Sequence, residues 1–116
     1  MKHILITGVS SGIGYDIAQH FIGHGFQVFG SVRNKEDAAK LEKQFTKGFT
    51  SLLFDVTRTD QIETARQKVV QALNGSPLTA LVNNAGFAQA GPMALLPEQA
   101  FRRQMEVNLF GVRNVT

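Results

Sequence analysis

Ile4-Leu5-Ile6-Thr7-Gly8-Val9-Ser10-Ser11-Gly12-Ile13-Gly14 is the stretch that decides how this 116-residue chain folds. Ile4-Leu5-Ile6 is a short apolar, largely β-branched run suited to a strand. A turn with three glycines follows, and Ile13, Ile17, Ala18 and Phe21 then repeat with the period of a helix. In a strand, glycine loop and helix of this kind each glycine has its own task. One turns the chain, one lets the backbone approach a pyrophosphate, and one packs helix against strand. The helix N-terminus presents N–H groups without intrahelical partners and a partial positive charge, which suits a phosphate. Ser10 and Ser11 add hydroxyls that either donate to that phosphate or cap the helix. The triplet alone would also fit a glycine-rich turn with no ligand. Strand before and helix after point to a dinucleotide-binding unit.

Downstream the pattern repeats. Gly23 and Gly25 end the first helix, and Phe26 to Val32 reads as a second strand. Arg33-Asn34 turns into a polar helix from Lys35 to about Phe45, with apolar points at Ala38, Leu41 and Phe45. A third strand runs from Phe49 to Val56. Thr57 to Asp60 supply turn and cap residues, and Asp60 begins a helix with the stripe Ile62, Ala65, Val69, Leu73. Asn74-Gly75-Ser76-Pro77 stops it, and Ala80 to Asn83 forms a fourth strand. Beyond the loop from Phe87 to Leu96, Pro97-Glu98 opens a last helix that runs to the end of the chain. Strands that are near-continuous apolar runs, alternating with helices, predict an α/β fold. It is a partial three-layer Rossmann-like parallel sheet of about four strands, ordered 3-2-1-4, with helices on both faces. Residues 1–116 form one domain.

Composition narrows the function. Apolar residues make up 43% and charged residues 18%, which fits a globular protein and excludes a disordered one. With no cysteine there is no disulfide, zinc-thiolate site or thiol nucleophile. His3, His20 and His24 lack metal-ligand spacing with carboxylates, so no metal site is expected. The net charge of +3 is mild and spread along the chain, against a nucleic-acid surface. Met1 to Ile6 is too short for a signal segment and no run approaches a membrane span, so the expected location is cytoplasmic.

Two residues would read the dinucleotide. The adenosine ribose is recognised about twenty residues past the glycine loop. There the chain offers Arg33 and no acid until Glu36, which favours NADP over NAD through a charge-assisted pair with the 2′-phosphate. A solvated turn arginine is the alternative. Asp55-Val56 closes the third strand at the edge where such sheets bind ligands, which favours a cofactor contact; capping of the following turn by Asp55 is the alternative.

Three motifs resemble one family. Thr7-Gly8-Val9-Ser10-Ser11-Gly12-Ile13-Gly14 is similar to the cofactor loop of the short-chain dehydrogenase/reductase family. Asn83-Asn84-Ala85-Gly86, at the end of the fourth strand, matches the family's Asn-Asn-Ala-Gly run. Glu106-Val107-Asn108-Leu109-Phe110-Gly111 matches its last-helix motif. The resemblance spans the whole chain. It implies an NAD(P)-dependent oxidoreductase that transfers hydride between nicotinamide and a carbonyl or alcohol. The cofactor-binding residues it implies are Gly8, Ser10, Ser11, Gly12, Ile13, Gly14, Arg33, Asp55, Val56, Asn83, Asn84, Ala85 and Gly86. It further implies that Asp55 meets the adenine amino group, and that Asn108 is the member of the catalytic tetrad that holds a water linked to the lysine. By spacing, Asn108 shares an apolar face with Phe101, Met105 and Val112, so it could also be an amide satisfied inside the helix.

The family's chemistry also needs a tyrosine with a lysine four residues on. The only tyrosine here is Tyr15, and Gln19 stands four residues later. The expectation is therefore a chain truncated before the Tyr-x-x-x-Lys segment, a cofactor half that does not turn over alone. A non-catalytic NADP-binding or interaction module is the alternative. Leu81, Phe110, Val112 and Val115 are expected to be left exposed, with self-association as the consequence. Phe87, Met93, Leu95 and Leu96 either wall a substrate pocket or cover the core.

Overall fold

The computed structural model describes residues 1–116. Four strands, β1 (His3–Ile6), β2 (Gln27–Val32), β3 (Phe49–Leu53) and β4 (Ala80–Val82), form one parallel sheet in the order β3-β2-β1-β4. Between them run α1 (Gly12–Gly23), α2 (Lys35–Gln44) and α3 (Thr59–Leu73), and α4 (Glu98–Met105) and α5 (Gly111–Val115) follow β4. The predicted sheet order holds.

Alternation within the central strands builds two cores. Ile4 and Ile6 of β1, with Val28 and Val32 of β2, face the side covered by Ala18 of α1 and Leu41 of α2. Phe29 of β2 and Leu52 of β3 face the opposite side, where Ala65 and Val69 of α3 cover them. Side chains alternate across a strand, so one pleated ribbon supplies both layers. β2 is buried from Val28 to Val32 because strands flank it on both edges and helices cover both faces.

The edges of several elements differ from the sequence reading. β3 ends at Leu53 and not at Val56. Phe54 N–H still donates to Val32 C=O at 3.1 Å, but the chain turns at Asp55, so Asp55-Val56 lies beyond the strand. β4 is likewise shorter, leaving Asn83 outside the ladder. The cap position of α3 falls on Arg58, whose side chain accepts nothing from the helix, so no residue from Thr57 to Asp60 caps it. Ile13 is 73% exposed and does not join the stripe of α1, whose inward points are Gly14, Ala18 and the half-buried Ile17 and Phe21.

The last helix is not continuous. A π turn over Glu106–Phe110 separates α4 from α5. Such wide turns within helices are often found at functional sites. Along this segment Phe101, Met105, Leu109 and Phe110 are exposed and Val112 and Val115 are half-buried, as is Leu81 of β4. α5 is fastened to the turn after β3. Asn114 Nδ2 donates to Val56 C=O at 3.0 Å, and Gly111 packs so closely that a Cβ would lie 2.6 Å from Val56 Cγ2.

Gly30 in the middle of β2 tests the tightness of this packing. A Cβ there would meet the Phe49 ring and Val9 Cγ2, each at 2.6 Å. Gly30→Ala is expected to cost about 1–3 kcal/mol, read as a lower urea midpoint with an unchanged m-value.

Candidate dinucleotide site

The carboxyl ends of β1, β2 and β3 open onto a cleft of about 630 Å³. Its position follows from topology: β1 leads out to β2 and β3 on one side and to β4 on the other, and the crevice forms where the order reverses. The glycine loop makes one wall. Gly8 has φ +71° and Gly12 φ +62°, left-handed conformations that L side chains rarely adopt. Around Gly12 there is open space, with no heavy atom within 4 Å of where a Cβ would stand. At Gly14 a Cβ would overlap the Gly8 carbonyl oxygen and the Asn84 amide nitrogen. Gly8 and Gly12 therefore turn the chain, and Gly14 lets α1 pack against Gly8 and Asn84; Gly12 itself is not among the residues lining the cleft.

Donors are left free at this loop. Ser11 is the N-cap residue of α1 but makes no side-chain cap bond, so the capping alternative for the serines is not realised. Backbone N–H groups of Ser11, Gly12 and Ile13 find no partner within the protein, the ordinary condition of a helix start. Ser10, Ser11 and Ile13 all line the cleft.

Opposite the loop, the run after β4 is clamped to the end of β1. Thr7 Oγ1 accepts from the N–H groups of Asn84 at 3.0 Å and Ala85 at 2.9 Å. Asn84 Nδ2 donates to the carbonyls of Thr7 at 3.1 Å and Gly8 at 2.9 Å. Thr7 is 1% exposed, so these bonds satisfy groups that water does not reach. Asn84, Ala85 and Gly86 line the cleft. Asn83 does not: its Nδ2 donates to Thr116 Oγ1 at 3.1 Å, away from the cavity.

Arg33, just past β2, lines the cleft and is exposed. Beside it Asn34 caps α2, accepting from Asp37 N–H at 2.8 Å and donating to the Asp37 carboxylate at 3.0 Å. Asp55 and Val56 also line the cavity. Asp55 fills the turn role as well, because its Oδ1 accepts from Thr57 N–H at 2.9 Å and Thr57 Oγ1 at 2.7 Å. Partial burial pushes the Asp55 carboxyl up, but the two Thr57 bonds and the fields of Arg33 and Arg103 outweigh it. The net shift is downward, so the group is a carboxylate at neutral pH.

Asn108 departs from the sequence reading. It is exposed at the π turn and not held within an apolar face. Its amide pairs reciprocally with the backbone of Phe87: Nδ2 donates to the carbonyl at 2.7 Å and Oδ1 accepts from the N–H at 2.9 Å. Gly86 permits this approach, since a Cβ there would stand 2.9 Å from Asn108 Oδ1. In the loop that follows, Met93 and Leu95 are 72% and 78% exposed, so they do not cover the core.

Sequence reasoning missed three participants. In the sequence Thr7 is only one letter of a motif, yet its hydroxyl organises the clamp. Ser31 is buried, and its Oγ accepts from Gly8 N–H at 3.0 Å, fixing the loop to β2. Arg103 lines the cleft from α4; its place one helical turn before Val107 was the available signal.

The sequence profile of the short chain dehydrogenases matches residues 2–116. The NADPH-dependent 3-dehydrocapnine reductase of Ornithobacterium rhinotracheale is 42% identical over 110 residues, 95% of this chain and 39% of that protein. A short-chain dehydrogenase from Streptomyces avermitilis superposes with a TM-score of 0.89 at 30% identity, over 99% of this chain and 42% of that one. The NADPH-bound carbonyl reductase from chicken fatty liver gives 0.90 at 26% identity, over 99% of this chain and 48% of that one. The chain thus spans less than half the length of each of these proteins. No helix is long and apolar enough to cross a membrane.

Replacing Thr7 with Val keeps the shape but strands two N–H groups. Thr7→Val is expected to destabilise the chain by about 2–4 kcal/mol, measured by urea unfolding. A loss under about 0.5 kcal/mol, the range of ordinary surface changes, would mean the clamp is not what fixes the run after β4 to the end of β1.

Proposed function

Because the chain belongs to the short-chain dehydrogenase family, we propose that it forms the cofactor-holding part of an NADP-dependent oxidoreductase acting on a carbonyl or alcohol. One observation carries this reading: Ser11 and Ile13, whose backbone N–H groups are unbonded at the start of α1, line the cleft. Two linked phosphates fit such a cradle, since the donors are neutral, fixed and aligned with the helix dipole. The NADPH-dependent relative and the NADPH-bound neighbour support the choice of dinucleotide.

In this reading Ser10, Ser11, Gly12 and Ile13 hold the pyrophosphate, and Gly8 and Gly14 give the loop its shape. Arg33 meets the 2′-phosphate with a planar, permanently charged fork. Asp55 uses the carboxylate oxygen not engaged by Thr57 to accept from the adenine amino group, with Val56 beside the base. Asn84, Ala85 and Gly86 bring backbone close to a ribose. Asn83 acts from behind this run, through its bond to Thr116. Bound nicotinamide supplies or accepts the hydride. Asn108 is a positioning residue: it fixes Phe87, and Oδ1 keeps a lone pair for a water.

The acid–base tyrosine of this chemistry has no counterpart among these residues. Tyr15 stacks on Phe45 with ring centroids 5.5 Å apart and bonds to Gln44, so it belongs to the packing of α1 on α2. We therefore expect the 116-residue chain to oxidise no NADPH when offered aldehydes and ketones; turnover above the uncatalysed rate would contradict the assignment.

Calorimetric titration tests the cofactor reading directly. The chain should bind NADPH more tightly than NADH, and Arg33→Ala should weaken NADPH by about tenfold, the effect of losing one charge-assisted contact, while leaving NADH almost unchanged. Equal affinities for the two dinucleotides in the unsubstituted chain would remove Arg33 from the site.

A further inference from the structure

The cleft holds a second cationic side chain, whose field reaches Asp55 but to which this reading gives no contact with the dinucleotide. Arg103 lies on α4, and its guanidinium carbon stands 5.8 Å from the centroid of the Phe87 ring. Arg58, Arg66 and Arg102 each pair with a carboxylate, on Asp60, Glu63 and Glu98. Arg103 pairs with none, although Glu106 is only three residues further on. With Asp55 and Val107 it lines both the main cleft and an adjoining hollow of about 400 Å³.

The chemistry of that end is specific. Val56 and Val107 offer apolar walls, and Asp55 offers one acceptor edge. A flat heterocycle carrying an amino group suits these surfaces, apolar on its faces and polar at its rim. What such a pocket lacks is a cover. A guanidinium is planar, more weakly hydrated than an ammonium, and stacks on π faces. Arg103 already lies over one ring, and its exposure leaves the side chain free to reach a second.

Resting on the dinucleotide reading above, we propose that Arg103 is the lid of the base pocket: its guanidinium plane closes over the adenine, with Phe87 holding the side chain above the cleft. Arg33 and Arg103 then have different work. Arg33 reads a charge present only in NADP, and Arg103 covers a base that NAD and NADP share.

Binding of NADPH and NADH to three forms of the chain tests this. Arg103→Ala should raise the Kd of both dinucleotides alike, by about three- to fivefold, the size of a partly exposed stacking contact. Arg103→Lys, which keeps the charge and loses the plane, should remain weakened. Because Arg103 is exposed and makes no hydrogen bond, both variants should melt at the temperature of the unsubstituted chain. Unchanged affinity in Arg103→Ala overturns the proposal while leaving the dinucleotide reading intact. So does a loss confined to NADPH, or full recovery in Arg103→Lys, since either would make the contact one of charge. Failure of the unsubstituted chain to bind either dinucleotide overturns both readings together.

Discussion

The contact on which the structure depends is the meeting of Thr7 and Asn84. β1 ends just before Thr7 and β4 ends two residues before Asn84, so two strand ends must satisfy their backbone groups at one point around the buried Thr7. A hydroxyl that accepts two N–H groups and an amide that donates to two carbonyls do so completely. Hydrophobic burial alone would hold the strands together but would not fix the height of the loops above them. The four bonds do, and they set the distance across which the glycine loop faces Ala85 and Gly86. Gly14 belongs to the same device, because any side chain there would occupy the space of the Asn84 amide.

Charge is arranged around this frame in a simple order. Uncharged donors sit at the start of α1, one arginine stands past β2, and one carboxylate stands past β3. The carboxylate remains ionised in spite of partial burial because Thr57 donates to it twice and two arginines lie within electrostatic reach. A ligand with phosphates at one end and an aminated base at the other meets complementary groups along its length.

Much of this was legible in the residues. Ile4-Leu5-Ile6 is apolar throughout and Val28 to Val32 nearly so, with Ser31 the one polar residue, because both faces are covered; such runs announce interior parallel strands. The glycines were legible because backbone geometry leaves few alternatives at each. Tertiary contacts wrote the rest. β3 stops early because Asp55 turns back to bond Thr57, a local competition that periodicity does not register. Asn108 was misplaced because helical spacing assumes a constant period, and the π turn changes it. The work of Thr7 and Ser31 depends on partners far along the chain, Asn84 and Gly8, which no window of sequence brings together.

The central claim is that the unpartnered amides beginning α1 are the phosphate-holding surface of this chain. Amide chemical shifts recorded while NADPH is added to uniformly labelled protein address those groups one by one. The account predicts that Ser11, Gly12 and Ile13 move first and furthest, downfield, as their N–H groups acquire an anionic acceptor. Saturable shifts confined to other surfaces, with these three unmoved, would contradict it.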